Sequence, residues 1–221
     1  MREAADRVFL AASGQAQDIE GRVCITASDS MSTFHLPPLL TKLRSIAPGV
    51  LVEVYASNEV KDLLRREADI AIRHVRPEQP DLITRLIREP AATLYASSAY
   101  LDELGRPNTI DDLSNAAFIG FENPERSVSI YNSFGLSLST NNIQYITNSG
   151  IVLRELITQN LGIGILDDNT AAITTGIEQA LPSLETVTFP IWLTTHRELH
   201  TTRRIRIVYD FLAEELKTTI D

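Results

Sequence analysis

The chain has 221 residues, 43% hydrophobic and 22% charged, with 20 basic against 29 acidic side chains and a formal net charge of −9. That is soluble-globular usage, long enough for one large domain or two small ones, with a core that needs no disulfide or metal staple. No stretch approaches the ~20 apolar residues of a membrane span, the N-terminus carries no long apolar run, and the acidic balance argues against a phosphate-gripping face. The expectation is a cytoplasmic protein with no membrane partner.

Residues 3–13 are an Ala-rich helical stretch ending near Gly14, the tail of something longer. The run RVCITA (Arg22–Ala27) favours β structure almost without a break, as in a strand buried on both faces. Cys24, between Val23 and Ile25, is expected as a buried structural thiol rather than a redox centre. Ser28, Asp29 and Ser30 then supply possible helix caps.

Leu36, Leu39, Leu40, Leu43 and Ala47 keep helical spacing up to Pro48-Gly49, and Pro37 and Pro38 leave the helix start open. A strand at Val50–Ala56, a short helix at Glu59–Glu67 and a strand at Asp69–Val75 follow. Strand–helix–strand–helix–strand without hairpin signals implies parallel strands joined by right-handed crossovers. In the resulting order 2-1-3, Val50–Ala56 lies at an edge, where VLVEVYA is an apolar strand that natural proteins rarely leave open.

Residues 82–88 carry no assigned element; a strand at Ala92–Ser97 opens a second set. It comprises helices near Ala99–Leu104 and Ile110–Leu113, a strand at Phe118–Phe121, a polar irregular stretch to about Asn141 and a strand at Ile143–Thr147. A helix over about Gly150–Leu161 is expected to stop at Gly162, before a strand at Ile163–Leu166. A strand at Val187–Thr194 leads into a last helix, about 202–217. Its stripe of Ile205, Val208, Leu212 and Leu216 makes Arg203, Arg204 and Arg206 the wet side of that helix.

Four segments, in order, resemble the regulatory domain of LysR-type transcription regulators: LPPLLTKLRSIAPGVLVEV (36–54), LLRREADIAIR (63–73), NLGIGIL (160–166) and WLTTHRELHTTRRIRIVYDFLAEEL (192–216). Each alone is packing and turn chemistry; their order and spacing over roughly residues 15–218 carry the match. The resemblance implies an α/β, two-lobed type-2 periplasmic-binding-protein-like fold, two Rossmann-like subdomains joined by two crossing strands beside a ligand cleft. Residues 1–20 are then the remnant of a linker helix, 21–95 plus 195–221 lobe I, and 96–194 lobe II. The family's winged helix-turn-helix has no counterpart in these residues, so DNA is a partner only through a domain outside them. Leu166-Asp167-Asp168 also departs from the family, which usually has proline after the leucine.

Ligands of open α/β sheets sit beyond the carboxyl ends of strands, where helix N-termini attract anions. The family commonly contacts its effector through a Ser or Thr seven residues before the Leu-Pro proline, which is Ser30 here. With Met31 beside it, Ser57 and Asn58 after the second strand, and Arg73 and His74 ending the third, this gives lobe I's share of the site. Lobe II offers Asn148, Ser149, Ile165 and the apolar wall of Phe121. Ser28, Asp29, Ser30 and Ser149 read equally as caps, and Arg73 as a salt-bridged residue.

No catalytic constellation stands out, and neither an enzyme nor a cofactor is expected. His196 and His200 sit four apart without the acidic residue of a metalloprotease motif, and Gly-Ile-Gly at 162–164 is too short for a dinucleotide fingerprint and has a packing reading. The leading expectation is an effector-binding domain for a small, anionic organic molecule. It would act as a homo-oligomer, a dimer of this domain that can become a tetramer at full length. The alternative is a solute-binding protein of a transport system with the same fold, and a third reading is an enzyme built on it. The net charge of −9 yields a first prediction. In a low-salt anisotropy titration the chain should not bind duplex DNA below tens of micromolar, because such binding rests on phosphate neutralisation; tight binding would refute it.

Overall fold

The computed structural model describes residues 19–59 and 68–218. The linker-helix remnant, apart from its last two residues, and all but the first residue of the expected Glu59–Glu67 helix lie outside them. In chain order the described elements are β1 (Gly21–Ala27), α1 (Leu36–Ile46), β2 (Val50–Ala56), β3 (Ile70–Arg73), β4 (Leu82–Arg88), β5 (Ala91–Ser97) and α2 (Ser98–Glu103). Then come β6 (Phe118–Phe121), α3 (Pro124–Ser133), β7 (Ile143–Thr147), α4 (Gly150–Thr158), β8 (Gly164–Asp167) and α5 (Asp168–Ala172). The chain closes with β9 (Ile177–Gln179), β10 (Val187–Thr188), β11 (Ile191–His196), α6 (Arg197–His200) and α7 (Arg203–Glu215). The described residues form two compact units, divided at 88/89 and 189/190: the segments before 89 and after 189 make unit 1, and residues 89–189 make unit 2.

Unit 1 is built on a five-stranded sheet of order β2-β1-β3-β11-β4. β1 pairs in parallel with both β2 and β3, the 2-1-3 order expected, and β11 returns antiparallel between β3 and β4. Val23, Ile25, Ala27, Ile70, Ile72 and Leu193 form a core with Leu36, Leu39 and Leu43 from α1 and Ile205, Val208, Phe211 and Leu212 from α7. Burial of each large side chain is worth about 1.5–3 kcal/mol. Asp69 fastens β3 to β1: its carboxylate accepts the Cys24 N–H at 2.8 Å, and its own N–H donates to the Cys24 carbonyl at 2.9 Å.

The prolines left open by the sequence have a defined effect. The helix is continuous from Asp29, but Met31–His35 widen into a π-helical turn, and the Leu36 N–H reaches Met31 O five residues back. Pro37 and Pro38 lack the N–H groups that α geometry would direct to Thr33 and Phe34, so the turn loosens before them.

Unit 2 carries β10-β5-β8 with β9 also on β5, and the parallel pair β6-β7. Phe118 bridges in parallel to Ile163, which links the two sets. Leu94, Leu113, Phe118, Tyr131 and Ile163 pack on one side; Tyr95, Ile119, Leu153, Ile157 and Leu166 pack on the other. The Tyr131 hydroxyl donates to Ile119 O, and burial pushes its phenol well above the ordinary tyrosine range.

Several expectations need correction. The unit boundaries fall at 88/89 and 189/190, not at 95 and 195, because β5 pairs with β8, β9 and β10, whereas β11 pairs with β3 and β4. The expected strand Val187–Thr194 is two strands broken at Phe189-Pro190, since proline cannot donate to a ladder. Residues 82–88 form β4, and the irregular stretch before Asn141 contains α3. α4 stops at Thr158, short of Gly162. Asn160 takes φ 65°, and the bonds Leu161 N–H to Leu156 O and Asn160 N–H to Ile157 O complete a Schellman cap.

Gly162 and Gly164 have the packing role expected of them. Gly162 sits at φ +147° with a would-be Cβ 2.7 Å from Ala117 O, and a Cβ on Gly164 would lie 2.6 Å from Ile157 Cδ1. Among the described residues no helix is long and apolar enough to cross a membrane.

Candidate functional site

Because β1, β2 and β3 are parallel, their carboxyl ends share one edge of unit 1, with Ser30, Met31, Ser57, Asn58, Arg73 and His74 on it. The loops are tied together by the Ser57 N–H donating to Ala27 O at 2.9 Å and the Asp29 N–H donating to Asn58 Oδ1 at 3.2 Å. The capping alternative resolves residue by residue. Ser28 Oγ accepts the Met31 N–H at 3.4 Å and Asp29 Oδ1 accepts the Ser30 N–H at 2.7 Å, whereas Ser30 makes no side-chain cap bond. Met31 is 3% exposed and its side chain belongs to the core.

Arg73 is 4% exposed. Nη2 donates to Thr26 Oγ1 at 2.7 Å and Glu59 O at 3.5 Å, and Nη1 donates to Ile72 O at 3.1 Å. A buried guanidinium needs such acceptors to offset its lost hydration. Thr26 is the residue the sequence reading missed. The register Thr26↔Ala71 puts it on the face that Arg73 also occupies, so strand alternation was the available signal. His74 is half-buried, with Nδ1 3.2 Å from Pro190 O; protonated there, it donates to that carbonyl.

In unit 2, Phe121 and Thr147 end the parallel strands β6 and β7 side by side. The Glu122 N–H donates to Thr147 O at 2.8 Å, and Ser149, the N-cap of α4, accepts the Val152 N–H at 3.2 Å. Asn148 is exposed beside it. Phe121 packs with Tyr95 and Ile119, whereas Ile165 packs with Leu94 and Phe118 on the opposite face of the sheet, so the structure does not bring these two together. The Leu166-Asp167-Asp168 departure is a capping device: Asp167 Oδ1 accepts the Asn169 N–H at 3.1 Å and the Thr170 N–H at 3.2 Å, opening α5.

The unit 1 edge is rich in donors: hydroxyls, amides, a guanidinium and an imidazole, groups suited to holding an oxyanion. The described residues contain no group of three His, Cys, Asp or Glu that could hold a metal ion. Cys24 is buried, and burial, followed by the nearby Glu53 and Asp69 carboxylates, raises its thiol above the usual range. That is the inert microenvironment expected of it.

The cap assignments separate structural serines from available ones. Ser149→Ala should cost about 1 kcal/mol through loss of the α4 cap. Ser30→Ala, which loses no cap bond, should stay within about 0.5 kcal/mol of the parent. Urea unfolding followed by circular dichroism would check this, and equal losses at the two positions would refute the assignment.

A sequence profile of the LysR substrate binding domain matches residues 16–217. The transcriptional regulator CrgA of Neisseria meningitidis serogroup C is 25% identical over 206 residues, 89% of this chain and 68% of that protein. A probable regulator LtrA of Klebsiella pneumoniae is 26% identical over 97% of this chain and 72% of its own length. The solved regulatory domain of Neisseria meningitidis CrgA superposes with a TM-score of 0.77 at 24% identity, covering 90% of this chain and all of that one. The effector binding domain of AmpR from Citrobacter freundii superposes with a TM-score of 0.74 at 15% identity, covering 90% of this chain and 100% of that one. These solved structures carry the two-lobed, periplasmic-binding-protein-like fold expected from the sequence. With 202 consecutive residues inside the profile and relatives named as transcriptional regulators, the chain belongs to the LysR substrate binding domain family.

Proposed function

We propose that this domain is the cytoplasmic sensor of a LysR-type regulator, binding a small organic anion at the carboxyl-end edge of unit 1. What carries the reading is the gathering of Ser30, Ser57, Asn58, Arg73 and His74 at the ends of three parallel strands, with the Ser30 hydroxyl outside the capping scheme. Control of DNA binding then requires the ligand to prefer one arrangement of the assembly over another.

A thermal-shift screen of aromatic and aliphatic acids, sugars, amines and nucleobases tests it. A ligand at 100 times its Kd adds about 2.7 kcal/mol, which for a chain of this size raises Tm by roughly 5–10 °C. Acids should dominate the hits, and Ser30→Ala should weaken the best of them about ten-fold, the worth of one hydrogen bond. Hits confined to cations, or affinities unmoved by Ser30→Ala, would overturn the site.

The same reading includes a homodimer through β2. That strand is at the end of its sheet, with Leu51 67% and Tyr55 52% exposed. An open apolar edge of this kind templates pairing with another chain, and in the family the first helix and second strand of lobe I commonly meet lobe II of the other subunit. Light scattering after size exclusion at tens of micromolar should give about twice the 24.5 kDa chain mass, and Leu51→Lys or Tyr55→Lys should weaken the dimer without unfolding the unit. A clean monomer would remove the assembly from the reading.

A further inference from the structure

Trp192, the chain's one tryptophan, is the second residue of β11. Because β11 runs against β3 and β4, its start falls at their carboxyl ends, and Trp192 registers with Arg73 on one side and Leu86 on the other. It is half-buried, and Leu86 beside it is 39% exposed. The Arg76 guanidinium carbon stands 5.4 Å from the centroid of a Trp192 ring. Arg76 is exposed, and among the described residues it forms no ion pair.

A guanidinium within about 6 Å of an indole face is attracted by the ring quadrupole, and its N–H groups that do not meet the ring stay open to other acceptors. Those N–H groups form the fork that takes a carboxylate or phosphate two oxygens at a time. The ring also fixes the side chain, so less rotamer freedom is lost when an anion arrives. Arg73 and Arg88 end β3 and β4 at the same edge, which also carries the acidic Asp29 and Glu59 beyond β1 and β2.

We infer that Arg76, held on Trp192, is an oxyanion-accepting element at the rim of the unit 1 site. It deepens the sensor reading and rests on it for its biological meaning. The ligand group it takes is a carboxylate, or the chemically similar phosphate, of the bound molecule.

Fluorescence quenching of the single tryptophan tests this without knowledge of the effector. At fixed ionic strength, iodide should quench Trp192 more strongly, relative to neutral acrylamide, than caesium does, despite the acidic chain. Arg76→Gln should lower the iodide-to-acrylamide ratio about two-fold, the scale of an exposed charge interaction, and Arg76→Lys should retain part of the preference. Benzoate, but not benzamide, should protect wild-type Trp192 from iodide. Protection by inorganic phosphate as well assigns a general oxyanion element, and protection by benzoate alone assigns an organic carboxylate. An iodide ratio unchanged in Arg76→Gln, a caesium preference in the wild type, quenching by neither ion, or protection by neither anion would each overturn the inference. Failure of the sensor reading would appear elsewhere, as a thermal-shift screen without acidic hits or with hits indifferent to Ser30→Ala.

Discussion

β1 is hydrogen-bonded on both sides to parallel neighbours, in register from Gly21↔Val50 to Ala27↔Ala56 and from Ile25↔Ile70 to Ala27↔Ile72. Parallel pairing has a geometric consequence that antiparallel pairing lacks: every strand ends at the same edge, and each connection must travel back across a face of the sheet. Val23, Ile25 and Ala27 are fully buried, so this register cannot slip by one residue without turning the core side chains to the wrong face. The place of Ser30, Ser57, Asn58, Arg73 and His74 follows from that register. Even Trp192 and Arg76 meet where they do because β11 enters the sheet from the edge at which the parallel strands leave it.

Elements with strong apolar patterning were legible in the sequence. β1, β2, α1 and α7 lie within a residue or two of expectation because each buries a stripe or an unbroken run against one core. What escaped was governed by other interactions. α3 buries only Ser127 and Tyr131, too little for periodicity to show, and its signal was the Asn123 cap followed by Pro124 and Glu125. α4 ends on a left-handed Asn160 because a Schellman cap closes it there, leaving Gly162 to a close approach to Ala117 O. The division between units was misplaced because strand propensity says which residues extend, not which sheet receives them. Pro90 and Pro190, each immediately before a strand that enters its own unit's sheet, were the better markers.

The site itself was legible as positions and not as roles. Strand ends followed by Ser, Asp or Asn mark both helix caps and ligand contacts, since the same oxygen can accept a backbone N–H or meet a ligand. Only the hydrogen bonds divide the group: Ser28, Asp29 and Ser149 satisfy helix starts, Asn58 joins two loops, and Ser30 does none of this. Arg73 was legible as a cation at a strand end, yet its depth and its bond to Thr26 Oγ1 were not, because the burial of a strand residue is set by what crosses above it.

Under the proposed reading, sensing and assembly share one rigid element. Ser57 and Asn58 follow the last residue of β2, and Leu51 and Tyr55 lie exposed along the same strand. Ser57 N–H to Ala27 O and the full-length register with β1 tie β2 to the buried centre of the sheet. A ligand that draws on the strand's end therefore acts on a body that also carries the open edge, with no flexible segment between the two. Continuity alone does not create coupling; the ligand must also bind one arrangement of the dimer better than the other. Shifting an equilibrium from 1:99 to 99:1 takes about 5.5 kcal/mol of such preference. One hydroxyl contact contributes about 1 kcal/mol, and charge-assisted bonds about 1.5–3. A switch of that size thus needs about four to six neutral contacts at this edge to differ between states, or about two to four charge-assisted ones. An anionic ligand reaches it with fewer contacts than a neutral one.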